Sequence, residues 1–178
     1  TILSRVDILG NFYAPSVNAT TALNLTSNGQ FNVANPSRIE TSRNTTNQTI
    51  SSVAAYTYYP VLYNTVASDP FTQYTTANGR FTIKANYNGY YMFNVGVNVL
   101  PYTANRRYYI ALFKNGIEIS RLSDLLILAN QYGALIGSCF ASCAVGDYFD
   151  VRIASDIAAN IELLAAPQTT FFNAIKIS

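Results

Sequence analysis

The chain has 178 residues, of which 49% are hydrophobic and 13% aromatic, while only 11% are charged and the formal net charge is +2. Basic residues so few and so scattered exclude a protein that tracks phosphates, which needs Lys and Arg clustered on one face. The sequence has no histidine, which removes Ser-His-Asp and Cys-His catalysis and the commonest zinc ligand. Soluble domains usually carry about 25% charged residues, so this surface must be kept wet by Asn, Thr, Ser and Tyr. Low charge with much aromatic and β-branched content also fits a protein that buries further surface against copies of itself.

In chain order, residues 16–52 are dominated by Asn, Thr and Ser, and residues 1–53 read as an arm or attachment segment. Asn18, Asn24, Asn44 and Asn47 each open an Asn-x-Ser/Thr triplet. In a secreted eukaryotic protein these are glycan acceptors, and in so Asn- and Thr-rich a stretch composition alone also yields them. Two short alternating runs, 23–26 and 30–33, are split by Ser27-Asn-Gly and suggest a small hairpin.

From Ala54 onward the spacing predicts strands at 54–59, 74–76, 80–85, 89–100, 107–114, 117–122, 133–145, 148–154, 161–165 and 170–177. Turns are expected at Asn78-Gly79, Asn88-Gly89, Asn115-Gly116, Gly146-Asp147 and Pro167-Gln168. The segment 79–99 reads as a β-hairpin with one buried face, formed by Phe81, Ile83 and Ala85 before an Asn88-Gly89 turn and by Tyr91, Phe93, Val95, Val97 and Val99 after it. Residues 121–131 are the one helix candidate and suit a strand equally well. Short strands at this spacing predict a two-sheet sandwich of jelly-roll type.

Cys139 and Cys143 lie four apart in an alternating run, so both thiols point to one face about 13 Å apart, too far to bridge, and read as two small buried thiols. Arg106-Arg107 is the only adjacent basic pair; it reads as a solvated loop end or, beside Tyr102, Tyr108 and Tyr109, as a cation that stacks on a ligand, making Tyr102, Arg106 and Arg107 a candidate ligand loop. Asp147 is best explained as a turn residue, and Asp124 or Asp156 lack the acidic loop spacing of a calcium site. No Gly-rich phosphate loop is present. No catalytic residue, cofactor or metal ligand is assigned. No apolar run approaches the roughly 20 residues of a membrane helix, the longest being 125–129, so no membrane insertion is expected.

Four motifs in order resemble one family. Gly79-Arg-Phe-Thr followed by Gly89-Tyr-Tyr-Met-Phe93, Ile110-Ala-Leu-Phe-Lys-Asn-Gly116, Gly146-Asp-Tyr-Phe-Asp-Val151 and the closing Thr170-Phe-Phe-Asn-Ala-Ile-Lys-Ile177 are similar to the globular head domain of the C1q and tumour-necrosis-factor-like superfamily. The resemblance implies an all-β, ten-stranded antiparallel jelly-roll sandwich over 54–178 that forms a homotrimer around an axis. It makes Tyr91, Phe140, Phe149, Phe171 and Phe172 interface candidates, for each of which core packing is an equal reading. The adjacent pairs Tyr148-Phe149 and Phe171-Phe172 must point to both faces of their strands, so one aromatic of each pair faces away from the core.

Departures matter as well. Asn173 and Ala174 replace the small Gly-Phe element of the closing strand, and the N-terminal segment has no Gly-x-y repeat, hence no collagen stalk. The composition is more similar to the related domains of phage and other virus surface proteins. The expectation is therefore a non-enzymatic structural and binding protein on a virion surface, held to other assembly proteins through its arm and facing a host glycan or receptor. The alternatives are an extracellular cell- or spore-surface module that binds glycans and, against the missing basic arm, a small-virus capsid shell.

Overall fold

In the computed structural model, which describes residues 37–177 and four short strands before them, every strand pairing is antiparallel. Two compact units divide between Asn35 and Pro36. In the first, Arg5–Val6 (β1) pairs with Phe12–Tyr13 (β2), and Leu23–Leu25 (β3) pairs with Phe31–Val33 (β4), the small hairpin expected there.

The second unit holds Arg38–Ser42 (β5), Gln48–Ile50 (β6), Tyr59–Pro60 (β7), Thr65–Ser68 (β8), Tyr74–Thr75 (β9), Arg80–Thr82 (β10), Gly89–Val99 (β11), Arg106–Lys114 (β12), Ile117–Ile127 (β13), Gly133–Cys143 (β14), Tyr148–Ser155 (β15), Ile161–Leu163 (β16) and Phe171–Lys176 (β17). One sheet runs β13-β12-β15-β10-β9, with β7 also on β15. In the other, β14 lies along one side of β11, while β17 and β16 share its second side and lead on to β5-β8 and to β6. The unit is a jelly-roll sandwich of two antiparallel sheets.

Alternation predicts which side chains enter the core. Tyr91, Phe93, Val95, Val97 and Val99 of β11 all have 0% exposure, and they face Ile110, Leu112, Val151 and Ile153 of the opposite sheet. Phe93 sits at the centre, its ring 4.8 Å from Phe149 and stacked 6.2 Å from Phe172. Aromatic pairs in such offset and edge arrangements add about 0.5–1.5 kcal/mol each beyond the area they bury.

The hairpin expected at 79–99 does not form. β10 pairs with β9 and β15, whereas β11 pairs in the other sheet, so the link between them crosses the sandwich. The chain turns at Lys84, whose carbonyl accepts from Tyr87 N–H at 3.1 Å, with Asn86 in the left-handed region at φ 72°. Phe81 and Tyr91, expected side by side on one sheet face, instead meet across the core at 5.6 Å. Period-two alternation identifies a buried face and is silent on which strand lies alongside.

Two further expectations shift. β5 and β6 lie N-terminal to the expected boundary at Ala54 yet are built into the sheet, β5 by pairing with β17 and β6 with β16. Only Ile39, Thr41 and Arg43 of this polar stretch are buried in and just after β5, too few to stand out by hydrophobicity. The helix candidate is also strand, since β12 pairs with β13 along its length through the two-residue turn Asn115-Gly116 at φ 52° and 83°. Cys139 and Cys143 share the inner face of β14, half-buried and buried, and both are free.

The long strands β13 and β14 border opposite sheets and approach each other closely. A Cβ at Gly137 would lie 2.4 Å from the Leu122 carbonyl oxygen, so glycine is required for the two strands to meet.

Candidate interaction surface and loop cleft

The outward positions of β5, β17, β11 and β14 form rows set by the register. Arg38, Ile175, Met92 and Phe140 make one row, Glu40, Asn173, Asn94 and Ser138 the next, and Ser42, Phe171, Gly96 and Ile136 the third. Two rows rich in apolar side chains therefore flank a polar one. Phe140 is 64% and Ile136 58% exposed, and Tyr90 continues the face beyond the first row at 53%. Phe171 lies flat against the sheet, where a Cβ on Gly96 would meet its Cε1 at 2.5 Å.

Beside this face run the edges. β13 and β14 are 11 residues each and, as the outermost strands of their sheets, they meet at one corner of the sandwich, where Gly137 lies against the Leu122 backbone. β13 carries Ile117, Ile119, Leu125 and Leu126 as exposed side chains. Its charges are largely spent within the chain, Asp124 with Arg107 and Glu118 with Arg121.

The five aromatic candidates separate by face. Phe140 and Phe171 point outward from the sheet, as the Phe171-Phe172 pair predicts for one of its members. Tyr91, Phe149 and Phe172 are fully buried within the single chain and have no surface to offer a partner; they are core residues. Tyr91 is fixed there by donating to the Tyr87 carbonyl and meeting Ser37 Oγ, each at 2.7 Å. Ile136, Met92, Ile175 and Tyr90 belong to the outward face and were missed. Their signal is an apolar residue at the positions alternate to a core row.

The candidate ligand loop also divides. Arg106 is 1% exposed: Nε donates to Ser155 Oγ at 3.0 Å, one terminal nitrogen to the Asn160 carbonyl at 2.6 Å, and the other to the Ile157 and Ala159 carbonyls at 3.1 and 2.7 Å. Its guanidinium is held 5.0 Å from the ring centres of both Tyr102 and Tyr108. Arg106 is therefore an internal clamp and no ligand contact. Arg107 points to the other side of the strand and pairs with Asp124, with Nη2 to Oδ2 at 3.2 Å. Of the three, only Tyr102 lines an opening. With Leu100, Pro101, Tyr108, Ala159, Asn160 and Glu162 it lines a cleft of about 480 Å³.

The remaining polar residues serve the framework. Burial pushes the Asp147 carboxyl up, but hydrogen bonds from Lys114, the Ala144 N–H and Asn115 outweigh it and hold the group below the usual carboxylate range. Asp150 pairs with Arg152 at 3.1 Å, and Asp156 accepts from the Arg107 N–H at 2.9 Å. Burial pushes the Cys143 thiol up to about 12. Among the described residues no three His, Cys, Asp or Glu side chains gather as a metal site. Asn44 and Asn47 are exposed, although Asn47 Oδ1 accepts from the Ala165 N–H at 2.8 Å; Asn24 lies in β3, and Asn18 is outside the described residues.

No protein-family model matches the chain, and no curated protein matches it. Solved structures do. The globular domain of zebrafish complement 1qA protein aligns with TM-score 0.54 and 16% identity over 81% of this chain and 98% of its own. Murine APRIL aligns with TM-score 0.57 and 16% identity over 80% of this chain and 100% of its own, and the Eiger TNF of S. frugiperda with TM-score 0.55 and 16% identity over 81% and 94%. With its sheet order, buried rows and these likenesses together, the chain has the C1q/TNF-like jelly-roll fold.

Proposed function

We propose that the chain is a non-enzymatic structural and binding module that works as a homotrimer on a virion surface, as decoration, fibre head or receptor-binding spike. The observation that carries the trimer is the outward face of β5, β17, β11 and β14, whose apolar rows lie uncovered, together with the exposed Ile117, Ile119, Leu125 and Leu126 of the edge strand β13. Face and edge are different surfaces, so a contact of one copy's edge with the next copy's face is heterologous, the kind of contact from which closed rings are built when the rotation between copies closes. The resemblance to the C1q and tumour-necrosis-factor-like superfamily gives that ring three members. Burying the exposed apolar side chains also accounts for a chain with 11% charged residues.

The Asn-, Thr- and Ser-rich segment before Pro36 is the attachment arm and the route to other assembly proteins, a reading that rests on its composition and on the unit boundary there. The oligomeric part is tested by sedimentation of the full chain at micromolar concentration. A species of three times 19.5 kDa is expected, and a stable monomer overturns the reading. The surface part is tested with an antibody against the chain, which must decorate intact particles without their disruption. An extracellular recognition module is the second reading, favoured by the loop cleft at Tyr102.

A further inference from the structure

The cleft of about 480 Å³ between β16 and the loops that follow β11 and β15 is within the range of 300–1,000 Å³ in which small ligands are held. Its walls combine two kinds of surface. Pro101 and Tyr102 supply an apolar side, and Asn160 and Glu162 an exposed polar one. Asn160 Oδ1 accepts from the Ser52 N–H at 3.1 Å, and its amide N–H₂ has no acceptor among the described residues. The exposed Glu162 carboxylate has no ionic or side-chain hydrogen-bond partner among the described residues and offers acceptors only.

Charge narrows the occupant. Arg106 is buried behind Tyr102 and Tyr108, and all its hydrogen bonds go to neutral acceptors, so its positive charge is not cancelled by a bound carboxylate. A cationic ligand meets that charge through two rings, and an anionic ligand meets Glu162 at the rim. Each of these two charges attracts the sign that the other repels, so the cleft as a whole is neutral and selects neither sign. What remains favourable is a neutral molecule whose hydroxyls donate to a carboxylate and accept from an amide, and whose C–H face rests on Tyr and Pro.

We propose that this cleft binds a neutral saccharide, through Tyr102 and Pro101 as the stacking wall and Glu162 and Asn160 as the hydroxyl-reading pair. The site lies within one chain, so it stands or falls independently of the trimer.

The full chain is titrated with the methyl glycosides of glucose, galactose, mannose and N-acetylglucosamine and followed by saturation-transfer NMR. Saturable binding of at least one is expected. Tyr102→Ala and Glu162→Gln each weaken it about tenfold, the size of one lost stacking or charge-assisted contact of about 1.4 kcal/mol. Glu162→Gln changes one exposed carboxylate and keeps the fold. Arg107→Ala, whose guanidinium lies on Asp124 outside the cleft, leaves the affinity unchanged. Methyl sialoside and tetramethylammonium, the charged probes, bind at least as weakly as the Glu162→Gln variant binds its best sugar. The inference is overturned by no saturable binding of any of the four sugars, by undiminished binding in Glu162→Gln, or by preference for either charged probe.

Discussion

Replacing Phe140 with Asp tests the association face most directly. Phe140 is 64% exposed in the single chain. Of the roughly 200 Å² an aromatic side chain brings to an interface, about 130 Å² is therefore open to a partner, worth about 3 kcal/mol at 25 cal/mol per Å². Three such contacts in a ring make about 9 kcal/mol, and because trimer formation depends on the cube of monomer concentration, the half-dissociation concentration rises about a thousandfold. A carboxylate buried in place of the ring adds to this. Sedimentation of wild type and Phe140→Asp from 10 nM to 100 µM measures the shift, and far-UV circular dichroism checks that the monomer keeps its fold. Tyr56→Ala, which removes a 68% exposed ring tilted against Tyr109 of the other sheet, leaves assembly unchanged. If Phe140→Asp dissociates at the wild-type concentration while Tyr56→Ala weakens the assembly, the face has been placed on the wrong sheet.

Other expectations follow from the framework. Gly137→Ala pushes a methyl against backbone at 2.4 Å and costs about 2–3 kcal/mol, a Tm fall of about 6–9 °C by calorimetry. Gly146→Ala, at φ 88° with nothing within 4 Å, costs only about 1 kcal/mol of backbone strain, so the reverse ranking would contradict the close approach of β13 and β14. Burial pushes the Tyr63 phenol well up, with Tyr74 adding to it, and burial likewise raises Tyr74. Their stabilising effect is complete below their ordinary value near pH 10 and is lost as pH rises toward the folded values, at about 1.4 kcal/mol per pH unit for each phenol. Urea midpoints should be level from pH 7 to 9 and fall above about 10; a level profile to pH 12 would show that these phenols are not held neutral by the fold. Cys143, pushed up by burial to about 12, should react with iodoacetamide at pH 8 about a thousandfold more slowly than a free thiol, measured by mass spectrometry on the native chain.

The parts of the fold that were legible are those fixed by local chemistry. The row from Tyr91 to Val99 alternates cleanly, and the Asn115-Gly116 turn must pair its flanking strands because both residues adopt positive φ. Pairing across longer separations was not legible. Phe81 and Tyr91 carry the same pattern whether they share a sheet or face each other across the core, and only the long-range partners of β10 and β11 decide it. The interface suffered from the same limit. Aromatic type drew attention to Tyr91, Phe149 and Phe172, whereas parity assigns the outward face to Met92, Ile136, Phe140, Phe171 and Ile175, since each stands one place from a residue of the inward row.

Arg106 and Arg107 show how far parity reaches. Arg106 shares its parity with Tyr108, Ile110 and Leu112, the inward row of β12, and Arg107 shares its own with Tyr109. Read that way, an arginine ends a core row, and its burial demands acceptors. The loop after β15 provides them, because the carbonyls of Ile157, Ala159 and Asn160 turn inward where no strand partner satisfies them. The Ile157 carbonyl also accepts from the Ala159 N–H and Ser155 Oγ, but those of Ala159 and Asn160 depend on the buried guanidinium, and truncating Arg106 would leave each of these two with its own desolvation cost of about 1–3 kcal/mol. The same clamp holds Asn160 and Tyr102 on opposite walls of the cleft at a fixed spacing, so the loops that shape this opening are set by a core residue. A pair that reads as a solvated loop end thus joins the interior of the sandwich to the surface most suited to a ligand.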